Sequence, residues 1–326
     1  MSEVLERSAI ASDVDYESHG RYGPPPEGWP TTGVHDFRDR ISEDGSTPYP
    51  AEAGRYHLYL ALGCPWAQRA AITVALLGLD HVISHSLVDD VRDGRGWAFR
   101  ARHGADPVAG RPLLRDLYLQ TDPAFRGHVN VPSLWDRKSG RIVNNDNNEI
   151  VHDLLTRFGA LGTSGVDLYP ERLRGEIDAL SGEIQETLNI GVYRIGFATD
   201  QADYDARVER LFDLFDRLET QLADRRYLFG AELTESDVRL WVSLARFDIA
   251  YNPLFRANLR RLADYPQLWA YARDLYTRPA FRALTDFEAF RLTYYSAFPA
   301  LNPSGLIPAG PRPDWNARQD RAALAG

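Results

Sequence analysis

Between Arg55 and Leu62 apolar and polar positions alternate, with Tyr56, Leu58 and Leu60 set against His57 and Tyr59. A period of two predicts a β-strand. Trp66 to Leu77 changes to helical spacing, and Gly78 is placed to stop it. Val82–Val88 predicts a second strand. The pattern then lapses: Asp89 to Gly127 holds Trp97, Phe99, Tyr118 and Phe125 without a clear period and is taken as an insertion. Val131–Trp135 and Arg141–Val143 predict two short strands across the turn Lys138-Ser139-Gly140. A helix follows from near Asn147, with Ile150, Leu154, Leu155 and Phe158 on one face. From Glu171 onward the spacing is helical. Leu211, Leu214, Phe215, Leu218 and Leu222 mark one stripe, Ser236 and Asp237 open a helix, and Pro266, Pro279 and Pro299 punctuate the rest.

The order strand–helix–strand, then strand–strand–helix, is that of a thioredoxin-like domain, and a run of helices follows it. The fold class expected is therefore a two-domain α+β protein. Residues 1–50, polar and rich in Gly and Pro, read as an extended arm. Residues 51–160 form the thioredoxin-like domain with its insertion at 89–127. Residues 170–300 form an all-helical domain, and 301–326 an extended tail.

At 326 residues the chain has room for two domains. A formal net charge of −9 argues against nucleic acid or an anionic membrane as partner. No apolar run is long enough to span a bilayer and no signal peptide is visible, so a reducing cytoplasm is the expected location. Metal-binding motifs are lacking. His81 and His85 flank the apolar run Val82-Ile83, and Gly104 to Gly110 lacks the Lys-Ser/Thr of a phosphate loop.

There is one cysteine, Cys64, in Gly63-Cys64-Pro65-Trp66-Ala67. It falls between the first strand and the first helix, with Pro65 at the first helical position, where a missing N–H costs nothing. Cys64 therefore lies at a helix N-cap, where unpaired N–H groups and the helix dipole favour a thiolate. Such settings bring a thiol from about 8.5 down to roughly 3.5–7.5. Ala67 excludes a Cys-x-x-Cys pair. Any redox cycle must therefore recruit an external thiol as its second sulfur.

A set of motifs then carries a resemblance. Gly63-Cys64-Pro65-Trp66-Ala67 with Gln68-Arg69, Gly96-Trp97, Val131-Pro132 before Leu134-Trp135-Asp136, and Ile142-Val143-Asn144-Asn145 are four of them. Gly191-Val192-Tyr193, Asp237-Val238-Arg239-Leu240-Trp241, Arg246-Phe247-Asp248 with Tyr251, and Tyr294-Tyr295 before Asn302-Pro303 complete it. Together they resemble the glutathionyl-hydroquinone reductases, the Xi-class, omega-like glutathione transferases. The resemblance implies a homodimeric enzyme that removes glutathione from S-conjugated hydroquinones. It implies Cys64 as nucleophile, Tyr193 as proton donor to the departing aromatic carbon, and Tyr251 and Tyr294 (or its neighbour Tyr295) as orienting hydroxyls. It also implies a thiol-binding set of Trp97, His128, Val129, Asn130, Val131, Pro132, Asp146 and Asn147, with Pro132 in the cis form.

Several positions depart from the family pattern. Its usual Arg-x-Thr-Val-Pro is His128-Val129-Asn130-Val131-Pro132 here, its Glu-Ser is Asp146-Asn147, and its Ser-His is Ala297-Phe298. Asn147 can still cap the helix. Two explanations stay open: drift around glutathione, or a change to a sugar-based thiol such as mycothiol, whose hydroxyls suit Asn and His. An omega-like thioltransferase and a catalytically idle binding module are the other expectations.

Overall fold

In the computed structural model, which describes residues 10–22 and 36–325, the chain divides into two compact units. The first runs to Val166 and includes Leu292–Phe298; the second comprises Asp167–Arg291 and the stretch from Pro299.

The first unit contains α1 (Tyr16–His19), β1 (Tyr56–Leu60), α2 (Pro65–Leu77), β2 (Ile83–Leu87), α3 (Leu114–Thr121), β3 (Ser133–Asp136), β4 (Arg141–Asn144) and α4 (Asn147–Arg157). Its sheet has the order β2-β1-β3-β4. β1 runs parallel to β2, with Tyr56 opposite Ile83, and antiparallel to β3, with Tyr56 opposite Asp136. Helices α2 and α4 pack on each other. The alternation in β1 does not mark an outer, wet face, because all five of its residues are buried. β1 is a central strand covered on both sides. Tyr59 packs edge-on against Phe99, 5.7 Å between ring centres. His57 is enclosed with its ring nitrogens 2.7 and 2.9 Å from Ser84 Oγ and Ser86 Oγ. Burial pushes its pKa down to about 3, so the imidazole stays neutral.

The aperiodic insertion is ordered by polar contacts instead of a hydrophobic stripe. Asp93 is fully buried and accepts from Arg95 Nη2 (2.7 Å), Arg100 Nη2 (3.1 Å) and the backbone N–H of Asp15 (3.2 Å). Arg100 Nε also donates to the Ser12 carbonyl (2.9 Å), and Ala11 N–H to the Phe99 carbonyl (2.8 Å). Residues 11–15 of the expected arm are thus fastened along the insertion. Arg40 and the backbone of Ile41 likewise hold Asp153 on α4. Residues 1–9 and 23–35 of that arm lie outside the described residues.

The second unit is helical: α5 (Arg174–Ile184), α6 (Gly191–Gly196), α7 (Gln201–Gln221), α8 (Glu235–Arg246), α9 (Pro266–Thr277), α10 (Pro279–Ala283) and α11 (Phe287–Ala297), the last six residues of α11 grouping with the first unit. Single π turns at Gln185–Asn189 and Phe247–Tyr251 continue α5 and α8. Every residue of α8 is buried. It starts one residue earlier than Ser236, with Thr234 as its N-cap. Asp237 closes that start, accepting from the Thr234 and Leu228 backbone N–H groups, Thr234 Oγ1 and Tyr271 Oη. The tail is not simply extended. Trp315 lies 4.7 Å from Trp269, 5.0 Å from Phe287, 5.5 Å from Trp241 and 5.6 Å from Tyr276, ring centre to ring centre. Burying an indole among four rings outweighs the solvation of an otherwise polar segment.

Candidate active site

Cys64 has extended backbone angles (φ −82°, ψ 121°) and caps α2, with Pro65 at the first helical position. Its carbonyl accepts from Gln68 N–H at 3.0 Å, closing the first helical turn. The side chain makes no cap bond to the helix. Its thiol donates to the Val131 carbonyl at 3.5 Å. Val131–Pro132 is a cis peptide, as the sequence reading expects. One extended segment therefore offers a backbone edge beside a half-buried thiol at a helix N-terminus.

Two contacts fix this turn. Gly63 stands where a Cβ would collide with Oγ1 and Cβ of Thr293, whose hydroxyl donates to the Asp90 carbonyl at 3.0 Å. Arg69, fully buried on α2, donates through Nη2 to the backbone and side-chain oxygens of Asn147 (3.0 and 2.9 Å) and to Asn148 Oδ1 (2.9 Å). The cysteine helix is thus clamped to the start of α4.

At that start the cap is Asp146, not Asn147. Asp146 Oδ1 accepts from the N–H groups of Asn148 (2.8 Å) and Glu149 (3.3 Å). An acceptor-only carboxylate suits the N-cap, while the Asn147 amide is taken by Arg69. Asn130 is also engaged. Its Oδ1 accepts from Tyr118 Oη (2.8 Å) and Asn145 Nδ2 (2.9 Å), and its Nδ2 donates to the Asn145 carbonyl (3.1 Å). This network braces the loop before Pro132. Val129 is half-buried.

His128 faces Tyr22, whose hydroxyl lies 2.9 and 3.1 Å from the two ring nitrogens. Trp97 is buried on the insertion, and the Arg92 guanidinium lies 4.2 Å from its ring centre and 3.8 Å from that of Tyr22. Tyr22 and Arg92 have no signal in the sequence pattern: one sits in the polar arm, the other in the aperiodic insertion.

The four tyrosines fall into two groups. Tyr294 and Tyr295 belong to the first unit, directly after Thr293, and both are buried. Burial raises the Tyr295 phenol. Tyr193 and Tyr251 belong to the second unit, where their rings lie 6.2 Å apart and both pack on Phe255 (5.0 and 5.7 Å). Each follows or ends a π turn, an insertion that re-aims side chains and recurs at functional sites. Asn189 ties the two stretches, donating to Ser243 Oγ (2.6 Å) and the Arg239 carbonyl (3.2 Å). Among the described residues, no three His, Cys, Asp or Glu side chains gather as metal ligands would, and no helix is long and apolar enough to cross a membrane.

A thioredoxin-like sheet with a cysteine before its first long helix, followed by a helical unit, defines a glutathione transferase. The family models for the glutathione S-transferase N-terminal and C-terminal domains match residues 63–157 and 201–274. The chain belongs to the glutathionyl-hydroquinone reductases, the Xi class of that family. It is 41% identical over 300 residues to the glutathionyl-hydroquinone reductase YqjG of Escherichia coli, covering 89% of this chain and 91% of that protein. The glutathione-bound structure of YqjG superposes with a TM-score of 0.83 at 40% identity, covering 88% of this chain and 96% of that one. A Xi-class transferase from Natrialba magadii gives a TM-score of 0.85 at 38% identity, over 89% and 92% of the two chains.

Proposed function

We propose that this protein is a thiol-dependent reductase that removes glutathione from S-glutathionylated hydroquinones through a mixed disulfide at Cys64. The observation that carries the reading is the Cys64 thiol at the N-cap of α2, 3.5 Å from the Val131 carbonyl ahead of a cis-proline. The helix N-terminus favours an anionic sulfur once the proton has left, and the Val131 backbone lets the thiol co-substrate lie along it as an added strand.

In this reading the Cys64 thiolate attacks the sulfur of the conjugate. The S–S bond forms as the aryl C–S bond breaks, and its electron pair passes to the ring carbon. Tyr193 supplies the proton that converts that carbon to C–H, with Tyr251 and Tyr294 orienting the reacting groups. A second glutathione, as thiolate, then attacks the mixed disulfide, leaving as oxidised glutathione and restoring Cys64. Asp146, an anion at the edge of the pocket, suits the γ-glutamyl ammonium, while Trp97 and His128 to Pro132 line the rest. The enzyme works as a homodimer in the cytoplasm.

The test is the intact mass of the protein after incubation with oxidised glutathione, together with turnover of a glutathionyl-hydroquinone. One glutathionyl adduct, absent from Cys64→Ser, and loss of turnover in that variant are expected. An adduct formed only with mycothiol disulfide would transfer the mechanism to that thiol. No adduct with either would sink it.

A further inference from the structure

In the first unit several buried or half-buried arginines are matched to acids: Arg40 to Asp153, Arg55 to Asp136, Arg95 and Arg100 to Asp93, and Arg102 to Asp90. Arg92 is different. Among the described residues no carboxylate pairs with it, and it lies instead over the rings of Tyr22 and Trp97. A guanidinium stacked on aromatic faces keeps its in-plane N–H fork available, and that fork matches a carboxylate.

A short chain of contacts links it to the loop beside the thiol. Tyr22, over which Arg92 lies, meets His128 at 2.9 Å, and Val131, three residues further on, meets the Cys64 sulfur. Three residues span at most about 10 Å, so the Tyr22–His128 contact sits on the same short loop that reaches the thiol. The Tyr22 hydroxyl is within electrostatic reach of Cys64. Asp93, next to Arg92, is the buried hub that fastens residues 12–15 to the insertion, so the segment bearing Tyr22 is held in place beside it.

We propose that Arg92, braced by Tyr22 and Trp97, binds the glycyl carboxylate of glutathione and makes the N-terminal segment part of the thiol pocket. Arg92 is thus a specificity residue. It selects an anionic peptide thiol over a sugar thiol such as mycothiol, which offers no carboxylate. The inference rests on the glutathione-dependent reading above.

Calorimetric titration of the full-length Cys64→Ser protein separates binding from chemistry. Glutathione and its glycyl ethyl ester are the two probes, with and without Arg92→Gln. The parent is expected to bind glutathione, and Arg92→Gln to weaken it roughly ten- to one-hundred-fold, the range for a charge-assisted contact. The ester should bind the parent as weakly as glutathione binds the variant, and Arg92→Gln should not weaken the ester further. Arg92→Lys should recover only part of the affinity. The ester arm on the parent needs no change at position 92, so misfolding of a variant cannot mask the result. Equal binding of glutathione and ester by the parent, or unchanged glutathione binding by Arg92→Gln, overturns the inference alone. No binding of glutathione by the parent overturns the reading beneath it and the inference together.

Discussion

Thr293 fills the space that a side chain at position 63 would need, so the turn that presents Cys64 is pressed against the helix that carries Tyr294. Gly63→Ala should therefore cost about 1–3 kcal/mol through overpacking. It should also alter the rate at which iodoacetamide labels Cys64. A melting curve and an alkylation time course check both, and an unchanged pair of values would show that the turn can relax.

Tyr193→Phe and Tyr251→Phe keep the rings that pack on Phe255. Each should retain its melting temperature. If Tyr193 supplies the proton, its variant should lose about 10²-fold or more in kcat, the usual range for general acid catalysis. Loss of Tyr251 should be smaller, because an orienting hydroxyl moves no proton. Equal, undiminished kcat in both would remove them from the chemistry.

Asp237 accepts four hydrogen bonds in a fully buried setting at the start of α8. Asp237→Ala strands those donors and removes a capping contact, for an expected cost of about 2–4 kcal/mol. Chemical denaturation measures it. A cost below about 1 kcal/mol would mean that water replaces the carboxylate.

The Asp93 carboxyl is held well below its ordinary range. Burial alone would raise it, but hydrogen bonds from Arg95 and from the backbone of Asp15 and Arg95, with the Arg100 charge, outweigh that. A depressed folded-state pKa stabilises the fold above the unfolded value of about 3.9, and the contribution is lost as pH falls toward the folded value. Melting temperature should hold from about pH 7 to 5 and drop below about pH 4. Asp93→Asn should be less stable at neutral pH and show a shallower acid limb; the wild-type slope in the variant would assign acid sensitivity elsewhere.

Trp315 Nε1 is buried without a hydrogen-bond partner among the described residues, so the indole is held by its rings alone. Trp315→Phe should cost little, whereas Trp315→Ala should cost about 3–5 kcal/mol. Thermal melts of the two variants decide the point.

The sheet, the cysteine helix and the helical unit were legible because burial against a single face imposes a period. β1 misled about its second face because a central strand buries its polar residues too, as His57 does between Ser84 and Ser86. The insertion and the arm were opaque for the opposite reason. Their order comes from Asp93, Arg95 and Arg100 reaching residues about eighty positions away, and no local period records such pairings. Cys64 stood out by context, and so did Trp97 by motif. Tyr22 and Arg92 meet His128 and Trp97 only through contacts that sequence spacing cannot encode. The cap of α4 was misread, since only the fold shows Asp146 capping it and Arg69 occupying the Asn147 amide.

The lone thiol has a practical corollary. A reagent that counts sulfhydryls reports on a single coordinate in this molecule: stoichiometry and location become the same quantity. A fraction labelled is a fraction of sites occupied, with no second position to deconvolute, so a simple colourimetric titration reads the state of one helix cap.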